Sequence, residues 1–446
     1  MGRSPKEYLR KGPAAKGALA PVLHDGYNFS GNIRYRPRVY YCSAGHRCII
    51  LKGEMTQMKK RAMRGGIFLM GAVDWNRRLF DSLIPLPEGT SYNAYLVEGS
   101  EKTALIDTAD PALEHVLLAQ LEDVKKIDYI ISLHTEQDHS GAIPTLLAKY
   151  PEARVVCSTK AKELLQDHLH IDGGIIDAME DGQTLSLGNR TFKFIHTPWV
   201  HWPETMCAYL QEEKILFSCD FFGSHLATSD MFAGESPAIY EGAKRYYAEI
   251  MMPFRSIIRN NMKKLEGYEF DMIAPSHGPV YDKPDFILDA YRDWISDRVS
   301  NFVAIPYISM HGSTEIMVDR LLDALVERGV KVQKYELSVT DIGKLAIDLV
   351  DAATIVIGTP TVHFGPHPAV FSATHLANAL RPKLKYAAII GSYGWGTKAV
   401  EQISGLIPNL KVEVLGTVLC KGKPRAEDLA ALDALADAIA EKHRAL

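Results

Sequence analysis

From about residue 66 the chain reads as short apolar segments broken by turns, each with a β-branched or aromatic bias and with Gly, Asp or Asn nearby. That pattern predicts strands at 92–98 (YNAYLVE), 103–107 (TALID), 128–133 (DYIISL), 154–157, 191–195 and 214–217 (KILF). Helical segments lie between them, so residues 65–281 are expected to form a layered α/β or α+β domain. A helical linker is expected at 282–300, where Ile287, Leu288, Tyr291, Trp294 and Ile295 recur at helical spacing.

Over 301–446 the pattern becomes a strict alternation. Strands are expected at 302–308, 331–336, 354–358, 385–391 and 411–419, with helices at 314–328, 342–350, 370–380, 397–406 and 425–443. Five strands, each followed by a helix, predict a doubly wound five-stranded parallel sheet. The last helix carries an apolar stripe, Leu429, Leu432, Leu435 and Ile439, suited to packing on that sheet. No internal repeat or low-complexity tract interrupts the pattern.

A length of 446 residues also favours at least two domains. No apolar run approaches the roughly 18 residues of a membrane helix. The net charge of −4 gives no general attraction to nucleic acid or an anionic membrane. The charge is uneven, however. Residues 1–64 carry 14 Lys and Arg against 3 Asp and Glu, a net +11, which leaves −15 on the other 382 residues.

This basic head has no apolar signal core. Its Arg content and scarcity of acids resemble an organelle transit peptide, but a disordered arm is the favoured expectation, or an in-frame extension upstream of a natural start at Met55 or Met58. Six cysteines lie without a CxxC pair, so free thiols and a cytoplasmic location are expected. Cys42 and Cys48 bracket His46, at a spacing that matches no standard zinc site.

Chemistry concentrates after DYIISL, in His134-Thr135-Glu136-Gln137-Asp138-His139. In an extended stretch alternate residues point the same way, so His134, Glu136 and Asp138 can converge. Burying such a cluster without cations costs several kcal/mol in charge crowding. Three further segments end apolar runs with potential ligands: His201 in TPWVHWPE, Asp220 in ILFSCD and His277 in IAPSHGP. Three imidazoles and three carboxylates exceed the needs of a closed zinc site and supply two metals, with iron or manganese suiting the donor set. His196 and His225 are expected to make local hydrogen bonds, and Cys207 and Cys219 to be buried, inert thiols.

In the second half, ligands of a doubly wound sheet bind beyond the carboxyl ends of its strands. The first such loop holds Ser309, Met310, His311, Gly312, Ser313 and Thr314 and opens a helix, which fits either an anion cradle or a simple helix cap. The second offers Pro360, Thr361, Val362 and Gly365, and the third Ser392, Tyr393, Gly394 and Trp395. Small residues there allow close backbone approach and aromatics allow stacking. The first strand lacks GxGxxG, which argues against NAD or FAD.

The H-x-E-x-D-H run, the His after TP-x-x, the strand-terminal Asp and the S-H-G turn resemble the metallo-β-lactamase fold, whose hydrolases carry H-x-H-x-D-H. With Glu136 in place of the second imidazole, and with a flavodoxin-like half downstream, the chain resembles the flavodiiron proteins. GAVDWN, GTSYNAYLVEG, HWPETM and the FGS turn extend the similarity. The resemblance implies an αββα sandwich followed by a flavodoxin-like domain, covering about residues 66–446.

It further implies one iron on His134, Glu136 and His201, a second on Asp138 and His277, and Asp220 as bridge, with His139 behind the ligands. FMN would place its phosphate near Ser309, Ser313 and Thr314 and its ring against 360–365 and 392–395. Trp199 and Trp202 would limit water access. The third loop is shorter after Trp395 than in many relatives.

The implied activity is reduction of dioxygen to water or of nitric oxide to nitrous oxide. Electrons would come in trans from rubredoxin or another reduced donor, across a head-to-tail homodimer or dimer of dimers. A dizinc hydrolase with an accessory flavodoxin domain is the rival reading, and an electron-transfer flavoprotein with a vestigial metal site is the third.

Overall fold

The computed structural model describes the backbone of residues 38–41 and 47–50 and the whole of residues 59–446. Arg38–Tyr41 pairs antiparallel with Arg47–Ile50, inside a unit that ends at Thr56. The side chains of Cys42, His46 and Cys48, and the expectations of disorder and of a start at Met55 or Met58, lie outside the described residues. From Gln57 to the C-terminus the chain forms a second unit, which contains both halves anticipated from the pattern.

Regular structure begins earlier than the sequence pattern indicates. Arg61–Arg64 is a strand that pairs antiparallel with Ile67–Asp74 at the edge of a seven-stranded sheet. Its two Arg conceal it from a hydrophobicity pattern, because their long side chains reach polar partners: Arg61 donates to Ser229 O and Arg64 to Glu213 O.

The sheet continues through Thr90–Glu98, Thr103–Ile106, Tyr129–Ile131, Arg154–Ser158 and Ile176–Met179. A second sheet is formed by Thr184–Ser186, Thr191–His196, Met206–Leu210, Ile215–Cys219 and Met272–Pro275. Alternating side chains of the two sheets meet face to face. Leu69, Tyr95, Val97 and Ile131 of the first pack with Phe192, Phe194, Ala208 and Phe217 of the second, all nearly or fully buried.

Helices Glu114–Gln120, Ile143–Lys149 and Ala161–Leu169 contribute to a core on the outer face of the first sheet. Pro237–Tyr246, Arg255–Leu265 and Pro284–Trp294 do so on the second. The result is an αββα sandwich, and the linker helix, Pro284–Trp294, buries Ile287, Leu288, Tyr291 and Trp294 in it.

The second half is a five-stranded parallel sheet with spatial order Lys331–Glu336, Ser300–Tyr307, Ala352–Val362, Tyr386–Tyr393, Glu413–Lys421. This is the flavodoxin-like order, with its switch point between the first and third strands in sequence. The third strand outruns its apolar core. Residues 359–362 continue it and Gly365–Pro366 folds back on its tip, so the second loop begins as a hairpin.

The two halves meet through charged contacts and shared core. Lys244 of Pro237–Tyr246 pairs with Asp351 at 2.6 Å, and Arg245 with Asp341 at 2.7 Å, at the two ends of helix Ile342–Leu349. Ala346, Val350 and Leu380 join the core beneath the second sheet.

Candidate metal centre and flavin site

All six anticipated ligands lie at one end of the sandwich, because each follows the end of a strand. His134 and Glu136 follow Tyr129–Ile131, His201 lies between Thr191–His196 and Met206–Leu210, Asp220 follows Ile215–Cys219 and His277 follows Met272–Pro275. The alternation argument holds only as far as Glu136. Gln137–Ser140 is a helical turn, so Asp138 leaves the extended segment and faces His277 instead of His134.

Asp107 ties two of these strand ends together. Buried and with φ +51°, it accepts from Leu133 N–H at 2.8 Å and from Ser276 Oγ at 2.9 Å, one residue before His134 and one before His277 respectively. Gly278 closes the next turn. Its φ is +79°, its N–H donates to Ser91 Oγ at 2.7 Å, and a Cβ there would lie 2.0 Å from Ser224 Oγ.

Asp220 is central. Its Oδ2 lies 3.5 Å from His134 Nε2 and 3.4 Å from His201 Nε2, while its Oδ1 lies 3.1 Å from His139 Nε2 and 3.3 Å from His277 Nε2. Glu136 Oε2 is 3.1 Å from both His134 and His201, and Asp138 is 3.4 Å from both His277 and His139. Around Asp220 ligand atoms gather in one group of His134, Glu136, His201 and Asp220 and another of Asp138, His139 and His277, while Asp107, His139 and Cys219 form a third. A carboxylate with one oxygen on each of the first two groups has the geometry of a bridge between two cations.

His139 departs from expectation. Rather than standing behind the ligands it points Nε2 into the second group, and its Nδ1 meets Cys219 Sγ at 3.8 Å. The other rings are oriented by oxygen. His134 Nδ1 lies 2.7 Å from Glu204 Oε1, and His277 Nδ1 donates to Ser91 O at 2.6 Å. Such outer contacts fix the tautomer and leave Nε2 as the inward donor atom.

The electrostatics fit bound cations. Burial opposes ionisation of Asp220, yet His139, His201 and His277 hold it well below the usual carboxylate range. Burial opposes charge on His201 as well, but Asp220 and Glu136 raise it to about 10, and Asp138 and Asp220 likewise raise His277 to about 9. The acids demand positive charge, which either imidazole protons or metal ions can supply. Both oxygens of Asp138, both of Asp220 and His139 Nε2 are buried without a hydrogen-bond partner in the protein. Orphaned donor atoms converging in this way are what a metal pair satisfies.

Several contributors went unassigned from sequence. Glu204 is quoted in HWPETM, but its role depends on a distance across the fold. Tyr246 is buried with its ring 5.7 Å from that of His277. His225 keeps a local bond, Nδ1 to Thr90 Oγ1 at 3.0 Å, but its ring also lies 5.3 Å from that of His277. His196 bonds Met179 O at 2.9 Å. Cys157, Cys207, Cys219 and Cys420 are free and buried, and burial raises Cys207 to about 12. Trp202 packs edge-on to His134, whereas Trp199 is 42% exposed and stacks on Phe254, away from a screening role.

In the second half a cavity of about 420 Å³ lies beyond the carboxyl ends of the strands. Ser309, Met310, Ser313, Thr314, Pro360, Thr361, Ser392, Tyr393, Gly394 and Trp395 all line it. Gly312, Val362 and Gly365 do not. Gly312 is the N-cap of Ser313–Glu327 at φ +82°, and Val362 and Gly365 pair in the hairpin. His311, Gly422 and Lys423 line the cavity as well.

Both readings of the first loop have support. Ser309 Oγ accepts from Glu315 N–H at 3.2 Å as a cap, while the first helical residues, Ser313 and Thr314, still face the cavity. A helix N-terminus beside hydroxyls, with Trp395 85% exposed above it, fits a phosphate joined to a flat ring.

An αββα sandwich with a two-metal donor set, joined to a flavodoxin-like sheet, defines a metal-dependent flavoprotein oxidoreductase. Residues 90–278 match the ODP family beta lactamase model and residues 305–433 the flavodoxin model. The chain is 36% identical over 380 residues to the nitric oxide reductase of Moorella thermoacetica, covering 82% of this chain and 95% of that one.

It also resembles the solved rubredoxin oxygen:oxidoreductase of Desulfovibrio gigas, with a TM-score of 0.84, 30% identity and coverage of 87% and 99%. Against the flavodiiron protein of Giardia intestinalis the TM-score is 0.80 at 28% identity, with coverage of 86% and 98%. The chain belongs to the flavodiiron protein family, whose cofactors are FMN and a pair of irons.

Proposed function

We propose that this protein reduces dioxygen to water, nitric oxide to nitrous oxide, or both, with electrons from a separate reduced donor. The observation that carries this reading is Asp220, with one carboxylate oxygen turned to each ring group. We assign His134, Glu136 and His201 to one iron, Asp138, His139 and His277 to the other, and Asp220 to both. FMN would be held by the loops around Ser313, Thr314, Thr361 and Tyr393. When bound, the flavin relays electrons from the donor and the iron pair offers adjacent positions for a diatomic substrate.

The chain's own residues prepare that chemistry. Glu136, Asp138 and Asp220 offset the cations' charge, and Glu204 and Ser91 hold the rings of His134 and His277 in register. Trp202 and Phe80 wall the pocket beside His134 and His277 and keep bulk water out. Burial and the charges of Glu136 and Asp138 raise the pKa of Asp81 above the ordinary carboxylate value.

Two exposed apolar groups support a head-to-tail dimer. Trp75 and Leu79 are exposed close in sequence to Phe80, which packs on His277, and exposed Met310 and Trp395 line the flavin cavity. Apposing the two would cover both and bring one subunit's flavin to its partner's metal. Donor identity is proposed at the level of a small reduced electron carrier such as rubredoxin. The location is proposed to be cytoplasmic; no helix among the described residues is long and apolar enough to cross a membrane.

The test is anaerobic turnover with a chemically reduced donor, offering each gas in turn. Consumption of either gas by protein that holds iron and FMN supports the reading. Zinc at full occupancy with hydrolase activity and no gas turnover sinks it in favour of a dizinc hydrolase.

A further inference from the structure

At the edge where the flavodoxin-like strands begin, a cleft of about 560 Å³ opens between the two halves. One side is residues 381–385, leading into Tyr386–Tyr393, together with residues 409–411, leading into Glu413–Lys421. The other side includes Met252, Pro253, Arg255 and Ser256 of the lactamase-like half. The flavin cavity lies beyond the opposite ends of the same strands. Eight residues of extended chain separate the two by about 25 Å.

Five cations line this cleft, Arg255, Arg381, Lys383, Lys385 and Lys411, against the single carboxylate of Asp297. Asp297 is already engaged, accepting from Arg255 at 2.8 Å and from Arg259 at 3.0 Å. Arg381, Lys383, Lys385 and Lys411 have no carboxylate within 4.0 Å among the described residues. A local excess of four positive charges on a chain of net −4 is not background.

Lys383 is the most informative of them. It is 7% exposed, and its Nζ meets only the carbonyls of Asp293 and Trp294, at 3.3 and 3.4 Å. Asp351 and Asp293 act on it only from a distance, each paired to another cation, so this buried ammonium has no direct carboxylate partner among the described residues. Exposed Lys385 and Lys411 and the guanidinium of Arg381 line the same cleft without supplying negative charge.

We propose that this cleft binds a compact polyanion of the oligophosphate class, as an inorganic chain or as the phosphate tail of a nucleotide. Its volume suits a ligand of that size. Arg255 from one half and Lys385 and Lys411 from the other would bind the same anion, so occupancy would clasp the two halves together. Neither iron nor flavin takes part in the contact.

The test uses the full chain with FMN and iron bound, in low-salt buffer, titrated separately with tripolyphosphate and with ATP by calorimetry and thermal unfolding. Saturable binding and a raised Tm are expected, both weakening as salt is added. Lys385→Glu combined with Lys411→Glu, at exposed positions, should weaken binding roughly tenfold or more with flavin content unchanged.

Lys383→Met gives an independent reading of the buried charge and should also weaken binding. Equal affinity for the two probes would show that the phosphate chain alone is recognised, and tighter ATP binding that a nucleoside is contacted as well. Either supports the proposal. Absence of saturable binding, affinity unchanged in the charge-reversed variant, or binding of an acidic protein with no response to either anion would overturn it.

Discussion

Glu204 Oε1 lies 2.7 Å from His134 Nδ1 and also accepts from the N–H and hydroxyl of Thr135. One buried carboxylate thus fixes both the ring and the backbone where the ligand run begins. Glu204→Ala should free the ring and leave the Thr135 amide unsatisfied. Metal affinity should fall by roughly 10–100-fold, the usual effect of losing an outer partner. Iron per chain, measured after dialysis against a chelator, checks this with flavin absorbance as the internal control.

The metal and flavin sites should fail separately. Glu136→Ala removes a carboxylate shared by His134 and His201 and should deplete iron while the yellow colour persists. Ser313→Ala with Thr314→Ala should do the reverse, since both residues line the flavin cavity and the Thr314 hydroxyl also bonds Ser392 at 3.0 Å. If both variants kept normal iron and FMN, the residue assignments would be wrong.

Cys219 Sγ is the hydrogen-bond partner of His139 Nδ1, at 3.8 Å, beside the buried carboxylate of Asp107. Cys219→Ser keeps a hydrogen-bonding group there and should retain two metals per chain. Cys219→Val leaves a buried ring nitrogen unpaired, a cost of about 1–3 kcal/mol, and should weaken the second metal selectively. Metal stoichiometry of the two variants, side by side, checks the difference.

Glu249 makes the contact between the halves sensitive to pH. Burial raises its carboxyl from 4.5 to about 8 despite Arg245 at 3.2 Å, with Asp341 adding to the rise. A raised folded-state value favours the neutral form. Its stabilising effect is complete below pH 4.5 and is lost as pH climbs through 8. Glu249→Gln should flatten that part of the profile and gain stability at alkaline pH. Urea midpoints of the two proteins across this range provide the measurement.

The sequence exposed what local pattern encodes. Strict alternation after residue 301 placed the parallel sheet, and Lys331–Glu336 matches its expected bounds. The six candidate ligands were legible because each lies just past an apolar strand, and strands of both sheets end on the same side of the sandwich. The strand Arg61–Arg64 escaped because basic side chains hide a paired edge. The role of Glu204 and the inward turn of His139 escaped because each depends on a contact across the fold, 70 residues away for Glu204 and 80 for the Cys219 partner of His139.

The most direct measurement is a crystal structure of the iron-loaded protein with anomalous data collected on both sides of the iron absorption edge. The expected result is two iron peaks roughly 3.5–4 Å apart, one bound by each oxygen of Asp220. A single peak, a zinc signal in place of iron, or two ions that share no carboxylate would contradict the account.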